Sequence, residues 1–167
     1  MSYIFTEDDF RKQATADGVT HITVGTAVIQ NGKVLVVRRA AHDFLGGVYE
    51  LPGGGLDDGE TIVASALREL QEESGIIGTK VLTSFPGFDY KTDVKPHVRQ
   101  INFLVTTTPG ATVILDPNEH DDFQWVDEEQ LATLNMTEEM RRCVAEALNL
   151  AEQLLVETSR GREEHSR

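Results

Sequence analysis

Gly54-Gly-Leu-Asp-Asp-Gly-Glu60-Thr-Ile-Val-Ala-Ser-Ala-Leu-Arg68-Glu69-Leu70-Gln-Glu72-Glu73-Ser-Gly75-Ile76 is the stretch on which the reading of this chain turns. Thr61 to Ser74 contains no proline or glycine and is rich in helix formers, with Thr61 as a natural N-cap and Gly75 as a left-handed stop. At about 100° per residue, Ile62, Val63, Ala66, Leu67 and Leu70 make an apolar stripe. Glu69, Glu72 and Glu73 share an arc of roughly 100° that borders this stripe instead of opposing it. Like charges at i,i+3 and i,i+4 repel by a few tenths of a kcal/mol per pair. They also crowd the helix's C-terminal half, where the macrodipole disfavours anions. Three carboxylates in that arrangement point to a divalent cation. Oxygen donors select a hard one, Mg²⁺ or Mn²⁺, over zinc.

Outward from this helix, Pro52-Gly53-Gly54-Gly55 reads as a loop. Glycines at 53, 54, 55 and 59 let backbone approach phosphate groups and tolerate φ > 0. Val48 to Leu51 is a short strand set off by Gly46-Gly47. His21 to Ile29 and Lys33 to Arg38 flank Asn31-Gly32, a strong hairpin signal. Downstream, Ile77 to Phe88, Val98 to Thr107 and Phe123 to Val126 read as strands, and Asp127-Glu-Glu-Gln-Leu opens a short helix. Thr137 to Val156 is the longest helical pattern, and a short helix near the start is capped by Thr6. Strands and helices alternate without strict βαβ order, which predicts an α/β fold with a mixed β-sheet covered on both faces.

At 167 residues, without repeats or linkers, the chain reads as a single domain over 1–157. A short polar tail, 158–167, has no apolar periodicity to order it. One cysteine, Cys143, excludes a disulfide framework and a cysteine-based zinc cluster. No apolar run reaches the roughly 20 residues of a membrane helix, and the start lacks the basic region of a signal peptide. The expectation is a soluble cytoplasmic protein. Fifteen Lys and Arg stand against 28 Asp and Glu, a net charge of −13. That field repels phosphate polymers, so neither a nucleic-acid polymer nor a membrane is expected as partner. A small anion can be held only where a metal or a placed arginine reverses the field. The segment has no Gly-Lys-Ser/Thr of a P-loop, no final glycine of a dinucleotide fingerprint and no alternating acids of an EF-hand.

Gly54, five residues, Glu60, seven residues, then Arg68 through Ile76 is a complete match to the Nudix box, and the looser resemblance extends over about Thr20 to Leu134. The resemblance implies a Nudix-type α/β/α sandwich carrying the box as loop–helix–loop. It also implies Mg²⁺- or Mn²⁺-assisted hydrolysis of phosphoanhydrides in nucleoside diphosphate derivatives. Position by position, Glu72 and Glu73 match the principal metal-ligating pair, and Glu69 a further ligand or water-orienting carboxylate. Gly53 matches a residue whose carbonyl reaches a metal, and Glu60 and Arg68 an ion pair that orients the ligands. Gly54 and Gly55 would lie against the substrate's phosphates.

Arg38-Arg39-Ala-Ala resembles the MutT-like 8-oxo-dGTP pyrophosphatases, which makes Arg39 the candidate phosphate contact. Asn118 to Val126 resembles the segment where an acid completes the site. Glu119 is the expected extra ligand or general base, His120 is the alternative base, and Trp125 is assigned to the core. Lys91, Lys95, His97 and Arg99 cluster in a loop that could line a substrate mouth. Pro86 and Tyr90 lie nearer the box than the family's markers for ADP-ribose and dinucleoside polyphosphates. The expected substrate is therefore a nucleoside triphosphate or related diphosphate. An ADP-ribose or nucleotide-sugar pyrophosphatase, a catalytically silent nucleotide sensor and a prenyl-diphosphate isomerase are the alternatives. Pairing as a homodimer is left open.

Overall fold

Asn31 and Gly32 take φ of 52° and 71°, the left-handed pair that a two-residue hairpin turn demands. They join β1 (His21–Gln30) to β2 (Lys33–Arg39). The structure is a computed structural model and describes residues 6–164. After the pairs Ile29↔Val34 and Gln30↔Lys33 the two strands part company. β1 runs parallel to β6 (Val98–Thr107) along one edge, and its first half pairs antiparallel with β4 (Gly53–Gly55) on the other. β2 turns instead to β3 (Tyr49–Glu50) and β7 (His120–Val126). β5 (Gly78–Tyr90) adds to the far side of β6. One parallel pair among antiparallel ones makes the sheet mixed, as the alternation of elements predicts.

Helices cover both faces because strand side chains alternate. Val34 and Val36 face one way, toward Met140, Cys143, Val144 and Ala147 of α4 (Glu138–Glu164). Leu35 faces the other, with Val24, Val28, Phe103 and Val105, against Ile62, Ala66 and Leu70 of α2 (Ile62–Ser74). Each such side chain contributes roughly 1.5–3 kcal/mol on burial. Phe10 of α1 (Glu7–Ala16) meets Phe103 edge-on, ring centroids 6.2 Å apart, on the α2 side. α3 (Glu128–Leu131) is a single turn with a complete capping box on Asp127.

Four expectations need correction. Gly53–Gly55 is a strand and not a loop, because its backbone completes the ladder of β1. β7 begins at His120, three residues before the apolar alternation that marks Phe123. The last helix continues past Val156 to Glu164, so the segment from Ser159 to Glu164 is helical and not an unstructured tail; residues 165–167 lie outside the described ones. Extending a formed helix costs far less than starting one. Val63 also leaves the predicted stripe, being 37% exposed. No helix among the described residues is long and apolar enough to cross a membrane.

Beyond Leu154 the described side chains of α4 are exposed, Leu155 and Val156 included. Truncation after Thr158 should therefore change the melting temperature by less than about 2 °C, measured by circular dichroism. A larger loss would mean that the end of α4 packs on something.

Candidate active site

Glycines 53 and 54 are fixed by contact. A Cβ on Gly53 would collide with the Val24 carbonyl, and one on Gly54 would lie 2.5 Å from Glu69 Oε1. Positive φ is needed at Gly59 (76°) but not at Gly53, Gly54 or Gly55. At the first two, then, the missing side chain makes room for β1 and for a box carboxylate.

α2 is pinned along its length. Thr61 accepts the Ala64 N–H, Ser65 Oγ donates to the Gly55 carbonyl and Thr26 Oγ1 to the Ala66 carbonyl. Gly75 ends the helix in the left-handed region, φ 69°, and the Ile114 N–H reaches the Ser74 carbonyl at 2.8 Å. The helix is thereby fixed in register, and its acidic arc aims at β4.

Glu73 sits at the centre. Only 5% of it is exposed, and its Oε2 accepts the Gly53 N–H at 2.9 Å. Burial pushes its carboxyl up to about 9. The Gly53 N–H opposes that shift, and the charges of Glu50, Glu69 and Glu119 add to it. Glu69 is also raised by burial, against a hydrogen bond from Arg68. Glu72 is the outer member, its side chain 59% exposed.

Arg68 and Glu60 form the pair that the resemblance implies. Nε and Nη2 of Arg68 donate to the two Glu60 oxygens at 2.8 and 3.0 Å, and this fork holds Glu60 at about 2. The same guanidinium donates through Nη1 to Glu69 at 3.0 Å and to Glu72 at 2.9 Å, and through Nη2 to the Gly55 carbonyl. One cation thus orients two of the three box acids.

The second half of the site comes from the β2 layer. Ligand atoms of Glu73, Glu119 and His120 lie within 4.8 Å of one another. His120 is buried, with Nε2 3.1 Å from Glu50 Oε1. Its Nδ1 is buried with no hydrogen-bond partner among the described residues. Buried polar atoms normally have partners, so an orphan beside clustered carboxylates marks a place for a ligand. Hard oxygen donors with one imidazole fit Mg²⁺ or Mn²⁺. Glu73, Glu119 and His120 are the side chains brought together here, while Glu69 and Glu72 lie on the same helix as Glu73, against Arg68.

Glu50 is the residue that sequence reasoning missed. It faces away from Tyr49 and Leu51, which point into the α4-side core. Its strand, Tyr49–Glu50, is too short to carry a periodic signal. Arg39 stands next to Glu50 at the rim. Its Nη1 reaches Glu50 at 3.2 Å, Nη2 reaches Asp43 at 2.6 Å and Nε the Phe44 carbonyl at 2.6 Å. Arg38 points elsewhere, to Asp121 and over the Tyr49 ring. Arg99 is tied to Asp89 and Asp17, and His97 to Asp89. Both side chains of that loop cluster are engaged in ion pairs, while Lys95 lines the cleft beside the box. Trp125 packs against the α2-side core, as assigned.

Residues 19–147 match the sequence family described as NUDIX domain. The chain is 43% identical over 87 residues to an 8-oxo-dGTP diphosphatase of Proteus vulgaris, covering 52% of this chain and 75% of that one. It is 30% identical over 110 residues to an RNA pyrophosphohydrolase of Campylobacter jejuni, covering 59% and 69% respectively. In three dimensions it is similar to a MutT protein from Methanosarcina mazei, with a TM-score of 0.60, 21% identity, and coverage of 76% of this chain and 91% of that one. At that identity the likeness concerns the fold.

The buried Glu73 has a consequence for stability. Its proton is held more tightly in the folded chain than in the unfolded one, so the folded state binds more protons between about 4.5 and about 9. Stability of the chain stripped of divalent cations should therefore fall as pH rises through that window. Thermal melts in a chelator should show this fall, and Glu73→Gln should flatten it. A wild-type melting temperature that rises from pH 6 to 9 would contradict the assignment.

Proposed function

We propose, from the premise that the chain belongs to the Nudix family and is a hydrolase of acid anhydrides in phosphorus compounds, that it is a Mg²⁺- or Mn²⁺-dependent pyrophosphohydrolase of nucleoside triphosphates or related nucleoside diphosphate derivatives. The observation that carries this reading is the convergence of Glu73, Glu119 and His120 on one point beside a complete set of box acids. That complete set also speaks against a catalytically silent sensor.

A diphosphate repels an attacking hydroxide, and a chain of net charge −13 adds to the repulsion. The divalent cation, when bound, neutralises phosphate charge and lowers the pKa of water. The remaining work falls to this chain's own residues. The Gly53 N–H fixes the Glu73 carboxylate, and Arg68 fixes Glu69 and Glu72. Glu119, exposed and close to Glu73, takes the proton of the attacking water, with His120 as the alternative base. Gly54 and Gly55 offer backbone to the phosphates, and Arg39 adds a cation at the rim.

The names of the two relatives agree on the class of bond and differ in what carries it: 8-oxo-dGTP in one, RNA in the other. The second name supports a rival reading in which an RNA is the substrate. Net charge favours the small nucleotide, since the chain's field opposes a polyanion.

A phosphate-release screen over triphosphates, nucleotide sugars, ADP-ribose and a short RNA tests the reading. Turnover should need the divalent cation and stop in excess EDTA. Glu73→Gln should lower kcat by about 10² or more with the fold intact. Preference for a nucleotide sugar over every triphosphate would overturn the substrate assignment.

Arg39→Ala should cost about 2–3 kcal/mol in kcat/KM for a triphosphate, the worth of a charged hydrogen bond to phosphate. The products should be the monophosphate and pyrophosphate, with heavy-oxygen water labelling one of them. Release of orthophosphate from a triphosphate would refute that regiochemistry.

A further inference from the structure

α1 lies outside the residues that match the family, 19–147, yet its first turn reaches the box. Glu7 Oε2 accepts the N–H of Ile62, the first residue of α2, at 2.9 Å. Arg11 donates through Nε to Glu7 Oε1 at 2.7 Å and through Nη2 to the Glu60 carbonyl at 3.1 Å. α2 has no acidic residue in its own first turn, and the open N–H groups there are where a carboxylate is most favourable. Glu7 supplies that missing anion from another element.

A cleft of about 780 Å³ is lined by Glu7, Arg11 and Thr15 of α1 together with Gly55, Asp57, Gly59 and Thr61 of the box loop. Beside it the Glu7 and Arg11 side chains join α1 to the start of α2 and to the Glu60 backbone. α1 is itself held from behind by Phe10 on Phe103 and by Asp17, paired with Arg99 at 2.7 Å. The bridge therefore has a fixed base. Glu60, whose carbonyl Arg11 holds, uses its carboxylate to hold Arg68, and Arg68 holds Glu69 and Glu72.

We propose that Glu7 and Arg11 are positioning residues for the box. They fix the start of α2 and the Glu60 backbone, and through Arg68 they set the divalent-cation affinity of the box carboxylates. This rests on the metal-dependent reading above. Groups bonded directly to metal ligands typically change affinity 10- to 100-fold when removed. Glu7 and Arg11 act one link farther out, so their effect is smaller.

The test is Mn²⁺ binding to the full chain, followed by the electron paramagnetic resonance of the free ion, beside melting temperature and the Mg²⁺ concentration for half-maximal turnover. Glu7→Ala and Arg11→Ala should each weaken Mn²⁺ binding by about three- to tenfold and raise the Mg²⁺ requirement in parallel. Glu7→Gln, which keeps an acceptor for the Ile62 N–H, should fall between them and wild type. Asp8→Asn, which removes the same charge from an exposed neighbour on the same turn, should leave binding unchanged. Wild-type Mn²⁺ affinity in both alanine variants, with only a lower melting temperature, would reduce α1 to a stabilising strut and overturn the proposal. An equal loss in Asp8→Asn would assign the effect to long-range charge and overturn it too. A wild-type chain that binds no Mn²⁺ would remove the metal-dependent reading and this one with it, whereas a metal-binding wild type matched by both variants removes only this one.

Discussion

The hydrogen bond from the Gly53 N–H to the buried Glu73 carboxylate is the constraint around which the rest of the site is arranged. It demands that β4 lie against β1 closely enough to exclude a Cβ at Gly53. It demands equally that α2 stop where Gly75 stops it, so that its last turn delivers Glu73 to the sheet. A carboxylate at that depth is costly to ionise, and one N–H recovers part of the cost. Three further acids, Glu50, Glu69 and Glu119, lie near enough to raise the cost again. A structure that gathers like charges in this way gives up stability of the metal-free chain for a place where a cation is strongly favoured.

The two arginines at the site work in opposite directions. Arg68 faces the box and spreads its donors over Glu60, Glu69, Glu72 and the Gly55 carbonyl, converting loop and helix into one rigid piece. Arg39 faces the other half and ties Glu50 to Asp43 and the Phe44 carbonyl. Neither guanidinium touches Glu73. The innermost acid is thus left with its backbone donor, while each cation steadies the groups around it.

Much of this was legible in the sequence, for local reasons. The bounds of α2 follow from Thr61 and Gly75, and the hairpin from Asn31-Gly32, because caps and turns are decided by a few adjacent residues. The pairing of Glu60 with Arg68 came from the resemblance, and the structure adds what periodicity could not: the one arginine also serves Glu69 and Glu72. What escaped was decided at a distance. Three consecutive glycines have poor intrinsic strand preference, and only the edge of β1 makes Gly53–Gly55 a strand. Glu50 sits on a two-residue strand, too short for a pattern to announce it. His120 reads as a loop histidine until β7 pairs with β2, opposite Arg39, and buries it.

The parting of β1 from β2 splits the site between two inheritances. Glu69, Glu72 and Glu73 belong to the continuous box, read from 23 successive residues. Glu50, Glu119 and His120 belong to strands and loops assembled on β2, drawn from positions 50 to 120. The first set is held by one helix and its caps, the second only by strands paired on β2. A gene fragment that ends before β7 would still carry an intact box and no finished site.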